Sequence, residues 1–338
     1  MADLSTTWMG LKLKSPIIAA SCTLTGSVEH VSEAARCGAG AVVLKSLFEE
    51  QIMQDAARSL GGNEQRFFYA QAEDYIREYS RGDALASYLE LIRASCREVP
   101  VPVIASINCV SAGEWVQFAR EIEDAGADGL EINIFVMPSD PSRSSAENEQ
   151  VYFDVLSAVT KAVRIPVAAK VSSYFSSLAH TARALPSTGI GSLVMFNRFF
   201  SPDIDIDTME LKPAPLFSTP EDYCHSLRWI AMLSGSVGCD LVASTGVHNS
   251  ETLIKQLLAG AKAVEVASVL YLKGFEEIRT MLEGLEEYMD RQGFASLSEL
   301  VGRMSMKNSL HPAAYERSQF MKHFSDIFLR HEGWREEV

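Results

Sequence analysis

The sequence predicts an α/β chain folded as a (β/α)₈ TIM barrel with an N-terminal hairpin, loop excursions over the C-terminal face and a helical C-terminal tail. Three observations carry this. Eight short apolar runs each end in a polar residue: Ile17–Ser21, Ala41–Lys45, Val103–Asn108, Leu130–Asn133, Val167–Lys170, Leu193–Asn197, Leu241–Thr245 and Val264–Ser268. Most stretches between them read as amphipathic helix. A degenerate repeat recurs in Cys37–Lys45, Ala125–Asn133 and Ala259–Ala267: a helix ends, Gly supplies a positive-φ turn, and a strand follows.

Ahead of the first run, Thr6–Leu13 has the pattern of a small hairpin able to plug the barrel floor. Two strands are entered through proline, at Val99-Pro-Val-Pro-Val103 and Arg164-Ile-Pro-Val167, before ladder hydrogen bonds are needed. Near-continuous apolar strands alternating with helices imply a parallel sheet covered by helices. Three segments are too long or too polar for simple connections. Leu47–Arg81 carries Gly61-Gly62-Asn63 and the aromatic set Phe67, Phe68, Tyr69, Tyr75 and Tyr79, and reads as an excursion over the mouth. Met137–Gln150, rich in Ser, Asp and Pro, reads as a mobile loop, and Phe199–Phe217 as a third excursion. The barrel core runs from about 15 to 290 and a mainly helical extension from about 296 to 338. With no linker or low-complexity segment, residues 1–338 read as one domain.

The 338 residues are 47% hydrophobic, enough for a large core, and the formal charge is −14. So acidic a chain is a poor candidate for nucleic acid or an anionic membrane. Met1–Ser5 shows no signal peptide, and no apolar run reaches the roughly 18 residues of a membrane span. Six scattered cysteines without a C-x-x-C pair argue against disulfides and iron–sulfur clusters and fit a cytoplasmic protein. The histidines form no metal pattern.

In such a barrel the strand ends line the active-site face. Lys45 and Lys170 each end an apolar strand, where a lysine costs desolvation unless it meets an anion or acceptor. Each can instead snorkel, or pair with a carboxylate such as Glu131. Asn133 and Asn197 offer donor and acceptor together, which suits a heterocycle with alternating carbonyl and N–H groups, or they satisfy loop backbone. Ala243-Ser-Thr-Gly-Val-His248 and Val266-Ala-Ser-Val-Leu270 end the last two strands, where barrels commonly hold phosphate. Thr245 and Ser268 add hydroxyls there; ordinary helix capping is the competing account. His248 follows this turn, with a structural role favoured. Cys22 and Cys109 lie near strand ends.

Taken in order, Ser15-Pro-Ile-Ile-Ala-Ala-Ser21, Leu44-Lys-Ser46, Ser106–Ser111, Glu131-Ile-Asn133, Ala169-Lys170, Phe196-Asn197, Thr245-Gly246 and Ala267-Ser268 resemble the dihydroorotate dehydrogenase family, most closely class 1 and the dihydroorotate dehydrogenase-like proteins. The resemblance covers roughly residues 4 to 290. It implies a single FMN-binding barrel. Ser21, Lys45, Ser46, Asn133, Lys170 and Phe196 would surround the isoalloxazine and ribityl groups. Thr245, Gly246, Val247, Ala267 and Ser268 would hold the phosphate. Lys170 would stabilise the negative charge of reduced FMN at the pyrimidine edge. Lys45, Asn133 and Asn197 would also reach a small heterocyclic substrate, dihydroorotate by family default in pyrimidine biosynthesis. A second electron acceptor and a homodimer are implied with it.

The chain departs from the family where the base should be. Asn133-Ile-Phe-Val-Met-Pro138 puts Val136, or Met137 with a shifted gap, at the Cys/Ser base position, and Ser139 at the following Asn. The family's Asn-Ser-Met-Gly-Leu-Pro-Asn loop is missing from Leu47–Arg81, and Val247 and Ala267 replace glycines. Neither Val136 nor Met137 accepts a proton, so the expected substitute is Ser139, Asp140 or an aromatic residue of Gly61–Tyr79. Two other readings stay open: a Schiff-base aldolase using Lys45 or Lys170, and a flavin-binding protein without dehydrogenase activity.

Overall fold

The computed structural model describes residues 2–48, 84–109, 115–198 and 201–316. Eight parallel strands close into a barrel: β3 (Ile17–Ala19), β4 (Ala41–Val43), β6 (Val103–Cys109), β7 (Gly129–Ile134), β8 (Val167–Val171), β9 (Ser192–Met195), β12 (Asp240–Ser244) and β13 (Ala263–Val266), with β13 pairing back onto β3. All eight apolar runs are therefore strands of one sheet. A two-residue strand β5, Leu47–Phe48, extends the pairing onto the top of β6. Helices cover the outside, packing on the outward residues of the strands in one continuous apolar layer.

The N-terminal hairpin is β1 (Thr6–Trp8) against β2 (Leu11–Leu13). Its turn residues Met9 and Gly10 both have positive φ, as a tight two-residue hairpin turn demands. Trp8 and Met9 pack with Ile18, Val43, Ile104, Ala168, Val194 and Val242, which point inward from six strands. The hairpin thus seals the barrel floor as its sequence suggests. The Met9 amide donates to Asp240 Oδ2 at 2.9 Å and locks the plug in place.

Strand alternation fixes what lies above that floor. The inward positions two residues further on are Ala20, Lys45, Ser106, Lys170, Phe196 and Ser244, with Glu131 and Glu265 from β7 and β13, all buried. The interior therefore changes from hydrocarbon to mainly polar in one step towards the C-terminal mouth, with Ala20 and Phe196 as its apolar members.

The excursions differ from the sequence reading in one respect. Met137–Gln150 is not loop throughout: a helix spans Ser145–Ala162. Ser144 Oγ accepts from the Glu147 amide and the Glu147 carboxylate accepts from the Ser144 amide, a capping box that starts the helix inside the polar stretch. Residues 199–217 hold an exposed antiparallel hairpin, β10 (Pro202–Asp205) with β11 (Glu210–Pro213). Beyond Leu47–Phe48 the first excursion, with its aromatic set, lies outside the described residues. The C-terminal extension carries two four-residue helices, Leu297–Leu300 and Ala313–Glu316, joined by turns, and residues 317–338 lie outside the described residues.

Candidate active site

The strand ends converge on one mouth. On one side Ser21, Ser46 and Ser106 form a hydroxyl ladder, Oγ to Oγ, at 2.8 and 2.7 Å. Tyr88, from the helix Ala84–Glu98, anchors its base: its hydroxyl accepts from the Ser106 amide at 2.7 Å and donates to the Ser106 carbonyl at 3.0 Å. Lys45, between the ladder and Gly26, is buried, with its aliphatic chain 3.1 Å from where a Cβ at residue 26 would stand.

Lys170 comes from β8 into the polar storey. Its Nζ lies 2.6 Å from Glu265 Oε2 and 3.7 Å from Glu131 Oε1. Burial alone would push this ammonium down; the adjacent carboxylates more than reverse that and hold it above its usual range. A lysine so protonated is a poor Schiff-base nucleophile, which removes support from the aldolase reading at Lys170. Burial, reinforced by the charge of Glu265, pushes the Glu131 carboxyl well above the usual carboxylate range. Sequence reading named Glu131 as a partner but missed Glu265. Its signal was an acidic residue inside the apolar run Ala263–Ala267.

Asn133 and Asn197 meet above this storey, the Asn197 amide donating to the Asn133 side-chain oxygen. Buried Phe196 stacks its ring 4.9 Å from that of His225. Val136 is half-buried and its amide donates to the Tyr152 hydroxyl at 3.2 Å. Ser139 and Asp140 are exposed on the loop that follows β7. Asp140 accepts from the Ser142 amide and hydroxyl at 2.9 and 2.6 Å, which holds its carboxyl below its usual range as a turn residue.

The opposite rim is built after β12 and β13. Thr245 and Gly246 have φ of 74° and 80°, and Thr245 Oγ1 donates to the Phe196 carbonyl. A Cβ on Gly246 would fall 2.1 Å from the Tyr223 nitrogen, so two backbones touch here. Ser218, between the Phe199–Phe217 excursion and the helix Tyr223–Leu233, closes the rim. Its amide donates to Ser268 Oγ at 3.0 Å, its Oγ accepts from the Gly246 amide at 3.3 Å, and its Oγ lies 2.9 Å from His248 Nε2. Burial, with the Lys273 charge, pushes His248 down and leaves it neutral. Val247 is buried under this turn and Ala267 precedes Ser268 at the last strand end. Sequence reading missed Ser218, whose segment gives no strand or helix period.

Hydroxyls and amides converging on a glycine turn suit a phosphate, and a buried ammonium in a barrel mouth suits an electron-rich ring. This donor set fits a phosphorylated flavin. Among the described residues no cluster of three or more His, Cys, Asp or Glu is arranged for a metal. The fold and the mouth together define a (β/α)₈ barrel whose strand ends suit a phosphorylated ring cofactor. The dihydroorotate dehydrogenase family model matches residues 3–289, and the chain belongs to that family. It is 26% identical over 324 residues to a dihydroorotate dehydrogenase B (NAD(+)) catalytic subunit of Thermoplasma volcanium, covering 89% of this chain and 98% of the relative. The Pyrococcus abyssi catalytic subunit of the same name is 25% identical, covering 87% and 96%. The chain is thus an FMN-dependent oxidoreductase of the type that acts on CH–CH groups. Among the described residues no helix is long and apolar enough to cross a membrane.

Proposed function

We propose that this chain oxidises a dihydropyrimidine-type ring at its CH–CH bond, passing the electron pair to FMN and then to a second acceptor in alternating half-reactions. The single observation behind the reading is the meeting of Lys170, Asn133 and Asn197 on one mouth whose opposite rim is the Thr245–Gly246 turn. FMN supplies the hydride chemistry when bound. The chain's own residues hold and bias it. Ser21, Lys45, Ser46, Asn133, Lys170 and Phe196 face the ring system, and Thr245, Gly246, Val247, Ala267 and Ser268 face the phosphate. Lys45, Asn133 and Asn197 orient the substrate, and Ser139 serves as the catalytic hydroxyl in place of the family's base. Dihydroorotate is the first substrate to try, with pyrimidine biosynthesis as the setting and a homodimer as the assembly.

The test is anaerobic. The purified protein should be yellow, release flavin on denaturation, and bleach when mixed with dihydroorotate or one member of a panel of dihydropyrimidines. A colourless protein that takes up no FMN would end the reading. A yellow protein bleached by dithionite but by no ring in the panel would leave a flavin binder without this dehydrogenase activity.

A further inference from the structure

In the polar storey of the barrel two carboxylates share one ammonium, that of Lys170. Glu131, Lys170 and Glu265 project from β7, β8 and β13, and all three are buried. Glu265 Oε2 sits at 2.6 Å from Lys170 Nζ, a charge-assisted hydrogen bond. Glu131 Oε1 stands off at 3.7 Å, and neither Glu131 oxygen nor Glu265 Oε1 meets a hydrogen-bond donor among the described residues. Lys45 is also buried in this storey, but on β4, which pairs with β3 and β6 and with none of the three strands that carry the triad; the inward positions that flank the triad are uncharged. By strand register they are Ser106 on β6, Ala168 on β8, Ser244 on β12, Ile18 on β3 and Val194 on β9. Cys22 lies just past β3, and burial pushes its thiol up, so it stays neutral. A second bare carboxylate here would have no donor and no cation of its own, an arrangement that buried sites avoid by taking up a proton.

We propose that Glu131 is a neutral acid, that Glu265 alone balances Lys170, and that this pairing sets how strongly the barrel favours reduced FMN. The proposal rests on the reading that Lys170 faces the flavin. A bare ammonium would attract the negative charge of the reduced ring in full. An ammonium already bonded to Glu265 offers only part of that attraction, so Glu265 acts as a positioning and damping residue and touches neither substrate nor cofactor. Glu131 holds a proton in reserve: if Glu265 loses its charge, Glu131 can ionise and take its place.

The experiment reads the two-electron midpoint potential of bound FMN by dye equilibration, independently of turnover. Glu131→Gln replaces a neutral acid by a neutral amide and should leave the potential at the wild-type value. Glu265→Gln should raise it less than the double variant, because Glu131 ionises instead. The Glu131→Gln/Glu265→Gln double variant leaves Lys170 unbalanced and should raise it by at least about 30 mV, tenfold in the reduction equilibrium. A Glu131→Gln shift as large as that of the double variant would overturn the neutral-acid assignment. A double variant at the wild-type potential, when Lys170→Met lowers it, would overturn the damping role. If flavin binds but neither Lys170→Met nor the double variant moves the potential, the fault lies with the placement of Lys170 at the flavin. Should the double variant not fold, wild-type minus Glu131→Gln infrared difference spectra at neutral pH decide the matter without it. A protonated carboxyl C=O band in the wild type is expected, and its absence would refute the proposal.

Discussion

Gly246 is the position where a single methyl group would do most damage. Its φ of +80° is one that L side chains rarely adopt, and its Cβ would enter the backbone at Tyr223. Gly246→Ala should therefore weaken FMN retention at least tenfold, measured by flavin fluorescence on dilution, while the far-ultraviolet circular dichroism stays that of a barrel. Retained affinity would show that this turn does not hold the phosphate. At the other end of the mouth, a positioned base contributes about 10²–10⁴ in rate. Ser139→Ala should lower the rate of flavin reduction by at least about 10² if Ser139 holds that role. Asp140→Asn should not, because the Asp140 carboxylate is already bonded to Ser142. Equal rates for Ser139→Ala and wild type in a stopped-flow trace would remove Ser139 from the mechanism.

Among the elements, the hairpin Thr6–Leu13 bears most directly on stability. Trp8 is fully buried beneath six strands, so Trp8→Ala should cost about 3–5 kcal/mol in urea unfolding. A loss of under about 1 kcal/mol would mean that the barrel closes without its plug. The barrel strands were legible in the sequence because each is a short apolar run with a sharp polar end, a pattern that survives without tertiary information. The hairpin was legible from two short segments, Thr6–Trp8 and Leu11–Leu13, either side of Met9-Gly10. The helix from Ser145 was hidden because Ser, Asp and Pro dominate the composition around it. The signal was positional, Ser144 with Glu147 three residues on, and not compositional. In the site, Lys45, Lys170, Asn133 and Asn197 could be read from strand ends. Glu265 and Ser218 could not. The first matters only through a neighbour from a strand 95 residues earlier in the chain, and the second lies in an irregular segment whose partners come from two other loops.

Across the whole molecule, the buried triad makes stability depend on pH. The Glu131 carboxyl is raised in the folded chain, chiefly by burial and then by the Glu265 charge. A raised group contributes its full stability below its unfolded value, near about 4.3 for Glu, and loses it as pH climbs towards its folded value. Wild-type protein should therefore lose stability relative to Glu131→Gln as pH rises above about 4.3, by up to about 1.4 kcal/mol per pH unit. Urea midpoints of the two proteins at a series of pH values check this, and parallel curves would refute it.

The paired amides of Asn133 and Asn197 have a consequence for what can dock between them. Each primary amide owns one carbonyl with two lone pairs and one NH₂ group with two hydrogens, and their mutual contact uses one lone pair of one residue and one N–H of the other. Whichever way round the two amides lie, one residue keeps its carbonyl wholly uncommitted and the other its NH₂ group. That pair of leftovers spells out a lactam edge, an N–H beside a C=O, and rejects a ring alkylated at that nitrogen. N-methylated dihydropyrimidines should accordingly fail to bleach the flavin at concentrations where their unmethylated parents do so, and equal bleaching by both would show that these asparagines do not read the ring.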